Sequence, residues 1–178
     1  MLLKKLIKNC PKKLSDIKVK GLSCDTRKLK KGELFFALKG LENSGEKFIN
    51  EAAKKGACAI ISSKKNSGNS KTIIVKNVRG LLGKICSKFY RKKPKNIFAV
   101  TGTNGKSSVV DFFHQILSLN NLQVATIGTL GIKTRTVKKN YLTSPDVISL
   151  HKELNNLKEK KIDNVLLEAS SHGLHQGR

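Results

Sequence analysis

Residues 97–108, Ile-Phe-Ala-Val-Thr-Gly-Thr-Asn-Gly-Lys-Ser-Ser, decide how the rest of the chain is read. Ile97 to Val100 are apolar and β-favouring, which predicts a buried strand, and Gly102 and Gly105 open backbone conformations closed to other residues. Val109, Phe112, Phe113, Ile116 and Leu119 recur at helical spacing, so the loop runs straight into a helix. Strand, glycine turn and helix start in that order aim several backbone N–H groups, and the positive end of the helix dipole, at one point. An anionic oxygen fits there. Lys106 adds a mobile cation for β- and γ-phosphates, and the Ser107 hydroxyl stands where a magnesium ion takes an oxygen ligand. A plain strand-to-helix turn explains the glycines but not Lys-Ser at the helix start. The string departs from G-x-x-x-x-G-K-[ST] at one place: Val100 stands five before Gly105, and the first glycine is Gly102. It is not a generic kinase or GTPase loop, and no N-K-x-D guanine signature occurs.

Downstream, the pattern alternates. A strand over 96–101 and a helix over 105–120 lead to a strand over 123–128 and a basic hairpin-like stretch through 142. A helix over 145–160 and a strand over 163–169 follow. Alternation of this kind implies a mostly parallel sheet, whose ligands gather at the carboxyl ends of the strands. Ser144 suits a helix N-cap and Pro145 the first helical position; capping accounts for both, and a ligand role stays open. Val165 to Glu168 is an apolar strand ending in a carboxylate. Beside a phosphate loop such a group completes a magnesium site; the alternative is a carboxylate emerging into solvent. His172 and His175 read as loop residues, and His114 and His151, on polar helix faces, receive no role.

Upstream, residues 1–18 form a short helix or strand. Val19 to Arg27 and Leu34 to Leu38 suggest two short strands joined by a turn. Phe48, Ile49, Ala52 and Ala53 make a small helix stopped by Gly56, with a buried strand over 57–61, a polar loop over 62–71 and a strand over 72–75. Val78, Leu81, Leu82, Ile85, Cys86 and Phe89 then define a longer amphipathic helix. The basic, proline-containing run 91–95 marks a boundary, giving domains at 1–93 and 94–178.

The net charge of +24 invites a nucleic-acid partner. Against that, the lysines are spread along the chain, tryptophan is absent, and no stacking platform or nucleic-acid module is recognisable. No stretch approaches the roughly eighteen uninterrupted apolar residues of a membrane span, and the start is too broken for a signal peptide. The expectation is a cytoplasmic protein with no nucleic acid partner and no membrane span. Cys10, Cys24, Cys58 and Cys86, scattered without C-x-x-C, read as reduced and mostly buried thiols.

Three segments in order, TGTNGKS, LTSPD and EASSHGLHQGR, resemble the Mur ligases of peptidoglycan synthesis, and CDTRKLKKGELFFALKG is similar to that family's uridine-binding domain. The resemblance covers nearly the whole chain. SSHGLHQGR points to the branch that adds a diamino acid, meso-diaminopimelate or L-lysine, to UDP-N-acetylmuramoyl-L-alanyl-D-glutamate. It implies an α/β chain: a small uridine-nucleotide-binding domain, then the first part of a P-loop ATPase domain. The implied cofactors are ATP and Mg2+.

By that resemblance Gly102, Thr103, Asn104, Gly105, Lys106, Ser107 and Ser108 match the ATP loop, and Lys106 and Glu168 are catalytic. Ser107 and Glu168 are the implied metal ligands. Cys24, Thr26, Leu41, Glu42 and Asn43 fall where the family contacts the uridine nucleotide. Thr143, Ser144, Ser170, Gln176 and Arg178 match contacts to the muramoyl peptide. Thr26, Ser107 and Ser144 replace commoner hydroxyl residues and keep the hydroxyl. The diamino-acid pocket lies in parts of the family beyond Arg178. The expectation for the chain alone is a sheet with an open edge and an uncovered apolar face, no ligase activity, and a tendency to aggregate. A non-catalytic UDP-sugar and ATP-binding fragment is the alternative.

Overall fold

The computed structural model describes residues 1–40, 44–64, 71–128, 131–134, 138–139 and 145–170. The chain divides into two compact units, Met1–Phe89 and Tyr90–Arg178, each with its own mostly parallel sheet. Among the described residues no helix is long and apolar enough to cross a membrane.

The first unit holds α1 (Leu3–Leu6), β1 (Gly21–Ser23), β2 (Glu33–Phe36), α2 (Ile49–Lys54), β3 (Ala59–Ser62), β4 (Thr72–Ile74) and α3 (Val78–Phe89). The four strands lie side by side in chain order and every pairing is parallel. The β1–β2 connection, 24–32, contains no helix. A three-residue strand spans only about 10 Å, so a short loop suffices to return the chain for a parallel pairing. Residues alternate across the sheet: Phe35 and Ile60 pack with Ile49, Ala52 and Ala57 against α2, while Leu34, Phe36 and Ile61 are buried on the opposite side. Gly56, at φ +85°, turns the chain out of α2 into β3. None of the four cysteines is in a disulfide; Cys86 is fully buried, and Cys10, Cys24 and Cys58 are half-buried rather than enclosed.

The second unit holds β5 (Asn96–Val100), α4 (Lys106–Leu119), β6 (Val124–Gly128), β7 (Gly131–Thr134), β8 (Lys138–Lys139), α5 (Val147–Glu159) and β9 (Asn164–Glu168). Its sheet runs β5-β9-β6-β7-β8, parallel through β6 and antiparallel beyond. Val165, Ala125, Ile127 and Ile132 face α5 through Leu154 and Leu157. Leu166 and Val124 face α4 through Val110, with Phe113 and Leu117 packed alongside.

Three expectations change here. β5 is not a buried strand: Asn96 to Ala99 are exposed, because β9 is its sole strand neighbour among the described residues. The α4 residues that meet the sheet are Val110, Phe113, His114 and Leu117, at i, i+3, i+4 and i+7. Val109, Phe112, Ile116 and Leu119 point outward, Phe112 being 63% exposed. His114 therefore lies on the inner face rather than a polar one, and its Nε2 is buried with no hydrogen-bond partner among the described residues. His151 also has a buried ring nitrogen, Nδ1, in that condition. Finally, the N-cap of α5 is Asp146, not Ser144. Its carboxylate accepts from the backbone N–H groups of Ile148 at 2.9 Å and Ser149 at 3.0 Å, and Pro145 precedes the cap instead of opening the helix. A carboxylate at a helix N-terminus has the favourable sign for the dipole, which makes Asp146 the stronger cap.

Candidate functional site

The loop 101–105 joins the carboxyl end of β5 to α4, and Gly105 is the residue that turns it, capping α4 from the left-handed region at φ +78°. Any residue with a Cβ would be strained there. No side chain caps this helix start, so the first-turn N–H groups are left for an incoming acceptor. Lys106 folds back over the loop, its Nζ donating to the carbonyls of Gly102 at 2.7 Å and Thr103 at 3.1 Å. The ammonium is thus held at the loop, where an anion bound to the N–H groups would meet it.

The sheet brings the other side of the site to the same place. Val100 and Glu168 are register partners at the ends of β5 and β9, and the Ala169 N–H donates to the Val100 carbonyl at 2.9 Å. Leu166 faces α4, so Glu168, two residues on, takes the same face at the carboxyl end of β9. Val124, Thr126 and Gly128 share that face of β6, and the β6–β7 register sets Lys133 beside Thr126 and Gly131 beside Gly128. A cavity of about 410 Å³ results, with Ser107, Ser108 and Asp111 of α4 on one wall and Thr126, Gly128, Gly131, Lys133 and Glu168 on the other.

Asp111 follows Ser107 by one helical turn and pairs with Lys133, whose Nζ lies 2.7 Å from Oδ1; Gln115 Nε2 donates to the other carboxylate oxygen at 2.7 Å. The Lys133 hydrogen bond, then that of Gln115, holds the Asp111 carboxyl below its ordinary range. His114 is pushed down as well, by burial first and by the Lys133 charge second, so the buried imidazole is neutral near pH 7.

The cavity thus gathers Ser107, Ser108 and Glu168 out of the residues singled out in the sequence, with Lys106 at its rim loop. Ser170 lies two residues beyond Glu168, outside the cavity lining. Cys24 and Thr26 belong to the first unit. There Ser23 Oγ donates to the Asp25 carbonyl at 3.0 Å, Thr26 is buried, and its carbonyl accepts from Lys55 Nζ at 3.0 Å. Arg27 forks onto Asp25, with Nη2 at 2.8 Å from Oδ2, and lowers that carboxyl's pKa. Leu41, Glu42, Asn43, Thr143, Ser144, Gln176 and Arg178, with His172 and His175, lie outside the described residues. The sequence reading missed Asp111, Thr126, Gly128 and Lys133. Asp111 was legible as the residue one turn after Ser107, but the other three depend on the β6–β7 pairing register.

Two family models match this chain: the Mur ligase middle domain over residues 100–178, and the Mur ligase family catalytic domain over 18–90. The chain belongs to the Mur ligase family. It is 44% identical over 169 residues to UDP-N-acetylmuramoyl-L-alanyl-D-glutamate-2,6-diaminopimelate ligase of Rickettsia montanensis, covering 90% of this chain and 35% of that protein. The enzyme of the same name from Brucella melitensis is 38% identical, over 94% of this chain and 35% of its own. This Mur ligase chain therefore spans about a third of the length of those curated relatives. A solved structure of a ligase with that name superposes with a TM-score of 0.85 at 27% identity, covering 99% of this chain and 37% of the other. The MurF ligase of Thermotoga maritima in complex with ADP shares the fold, with a TM-score of 0.59 at 21% identity over 88% of this chain and 33% of that one.

Proposed function

We propose that this chain carries the uridine-nucleotide and ATP half-sites of an ATP-dependent Mur ligase. The enzyme joins a diamino acid to UDP-N-acetylmuramoyl-L-alanyl-D-glutamate in peptidoglycan synthesis. Residues 1–93 bind the UDP-sugar and 94–178 begin the ATP-binding domain. The supporting observation is the cavity at the start of α4, where Ser107 and Ser108 stand on one wall and Glu168 on the other, beside Thr126, Gly128, Gly131 and Lys133. Relatives named for 2,6-diaminopimelate favour that amine over lysine. A cytoplasmic location suits a reaction that consumes ATP and a UDP-linked sugar.

In this reading the N–H groups at the loop and the start of α4 cradle the β- and γ-phosphates. Lys106 moves from the Gly102 and Thr103 carbonyls onto phosphate oxygen, exchanging one set of oxygen acceptors for another of greater charge. The γ-phosphoryl group passes to the terminal carboxylate of the muramoyl dipeptide, and the incoming amine displaces phosphate from the acyl phosphate to form the amide. Ser107 and Glu168 would hold Mg2+. The donor set fits: one hydroxyl and one carboxylate are hard oxygen ligands, and Mg2+ characteristically takes one or two protein groups beside phosphate and water. Bound there, the ion offsets charge on the transferring phosphoryl group. Cys24, Thr26, Leu41, Glu42 and Asn43 would contact the uridine nucleotide; Thr143, Ser144, Ser170, Gln176 and Arg178 would hold the muramoyl peptide.

Thermal stability of the chain, titrated separately with the UDP-muramoyl dipeptide and with Mg-ATP, tests this. Stabilisation by each is expected, about 2.7 kcal/mol at a hundredfold excess over Kd, with Lys106→Ala losing the Mg-ATP response alone. A folded chain that answers neither ligand would overturn the assignment. A response to the UDP-sugar without one to Mg-ATP would instead identify a binding module.

A further inference from the structure

We infer that Gly128 is a positioning residue for the Glu168 carboxylate, setting the acidic side of the cavity by having no side chain. The inference rests on the proposed metal role of Glu168.

Gly128 ends β6 and pairs with Gly131 across the antiparallel β6–β7 ladder, both lining the cavity. A Cβ at Gly128 would lie 2.5 Å from Glu168 Cδ, 2.7 Å from Oε1 and 2.8 Å from Cγ. These are all closer than non-bonded carbon and oxygen atoms approach, so something must move. Gly128 does not have a left-handed φ, unlike Gly105 and Gly131, and its backbone accommodates alanine without strain. The overlapping atoms are the far end of a flexible side chain, while the Glu168 backbone is tied into β9 between β5 and β6. The carboxylate therefore gives way and the sheet does not. Glycine at 128 is required by where the carboxylate must stand rather than by the turn.

A displaced carboxylate matters because Mg2+ demands oxygen at about 2.0–2.1 Å in near-octahedral geometry, a tolerance far smaller than the overlap to be relieved. Phosphate recognition by the first-turn N–H groups of α4, across the cavity, and by Lys106, at the rim loop, is untouched by a methyl at 128. Gly128→Ala should separate the two: metal binding falls and metal-free nucleotide binding stays.

The experiment uses the full chain and Mn2+ as a paramagnetic stand-in for Mg2+. Mn2+ affinity is read by electron paramagnetic resonance with ATP present, ATP affinity in EDTA by calorimetry, and melting temperature on the same samples. Gly128→Ala should melt with the wild type and bind ATP in EDTA with unchanged affinity. Its Mn2+ affinity should drop roughly 10- to 100-fold, the range seen when a group orienting a metal ligand is lost, toward that of Glu168→Gln. Shortening the acid in Gly128→Ala/Glu168→Asp relieves the overlap and should tighten Mn2+ relative to Gly128→Ala alone. Gly83→Ala, where an added Cβ meets nothing within 4 Å, should leave Mn2+ affinity unchanged. If Glu168→Gln loses Mn2+ while Gly128→Ala binds it like the wild type, the positioning role is overturned and the metal role of Glu168 survives. Equal loss of ATP binding in EDTA, or a collapsed melting temperature, would overturn it in favour of a structural glycine. If the wild type binds no Mn2+ with ATP, or Glu168→Gln binds it undiminished, the underlying site assignment fails and takes this inference with it.

Discussion

β2, Glu-Leu-Phe-Phe, and β5, Asn-Ile-Phe-Ala-Val, are written in nearly the same alphabet and meet opposite fates. In β2 Leu34, Phe35 and Phe36 are at most 1% exposed; in β5 Phe98 is 42% exposed and Ile97 similar. The difference is lateral. β2 has parallel neighbours on both sides and packing on both faces, whereas β5 pairs with β9 alone among the described strands. Beside it, Val109, Phe112 and Ile116 form an outward apolar stripe on α4. An apolar strand in a sequence records an affinity for burial; which neighbours supply it is decided elsewhere in the chain.

The comparison breaks most visibly by truncating each strand's phenylalanine. Phe35→Ala should lower the stability of its own unit by about 3–5 kcal/mol, as deletion of a fully buried aromatic does. Phe98→Ala should cost less, about 1–2.5 kcal/mol, from its partial burial and its edge-on contact with Phe113, whose ring centroid is 5.3 Å away. Urea unfolding of the two variants gives the values; equal losses would mean that β5 is as enclosed as β2. Exposure has a second consequence. Phe112→Ser/Ile116→Ser should reduce concentration-dependent light scattering while leaving the melting temperature within a few degrees, because neither side chain is in the α4 core.

Smaller effects sharpen the account of the α4 and α5 packing. Asp146→Ala removes the α5 cap and should cost about 1 kcal/mol, with Asp146→Asn retaining most of it, by thermal melts. His114 has a folded pKa below its ordinary value near 6.5, with Lys133 adding to the effect of burial and Asp111 opposing it. The unfolded chain then binds the extra proton, so the His114 contribution is complete above about pH 6.5 and declines as pH falls toward the lowered folded value. His151 is shifted the same way, by burial and then Lys93. His114→Gln should flatten, without abolishing, the loss of stability between pH 6.5 and 5; an unchanged slope would place His114 in water.

The phosphate loop was legible because its chemistry is local: Gly105, Lys106 and Ser107 are adjacent, and a helix start is written in its own first turn. Glu168 was legible as the polar end of an apolar strand. The rest of its wall was not, since Thr126, Gly128 and Lys133 converge through strand register, which a basic hairpin-like stretch does not specify. The stripe on α4 was misassigned for a related reason. Two apolar rows share that helix, and the inner one contains a histidine, so counting apolar residues favours the outer row and takes only Phe113 from the inner one. Parallel pairing of β1 and β2 was hidden because a loop without a helix is the usual mark of a hairpin.

The most direct test of the central claim is calorimetric titration of ATP, with and without Mg2+, into the wild type, Lys106→Ala and Glu168→Gln. The account predicts that Mg2+ tightens ATP binding to the wild type, that Glu168→Gln loses only this metal-dependent gain, and that Lys106→Ala binds weakly with or without metal. Equal Mg-ATP affinity in all three proteins would contradict it and remove the cavity at the start of α4 as the nucleotide site.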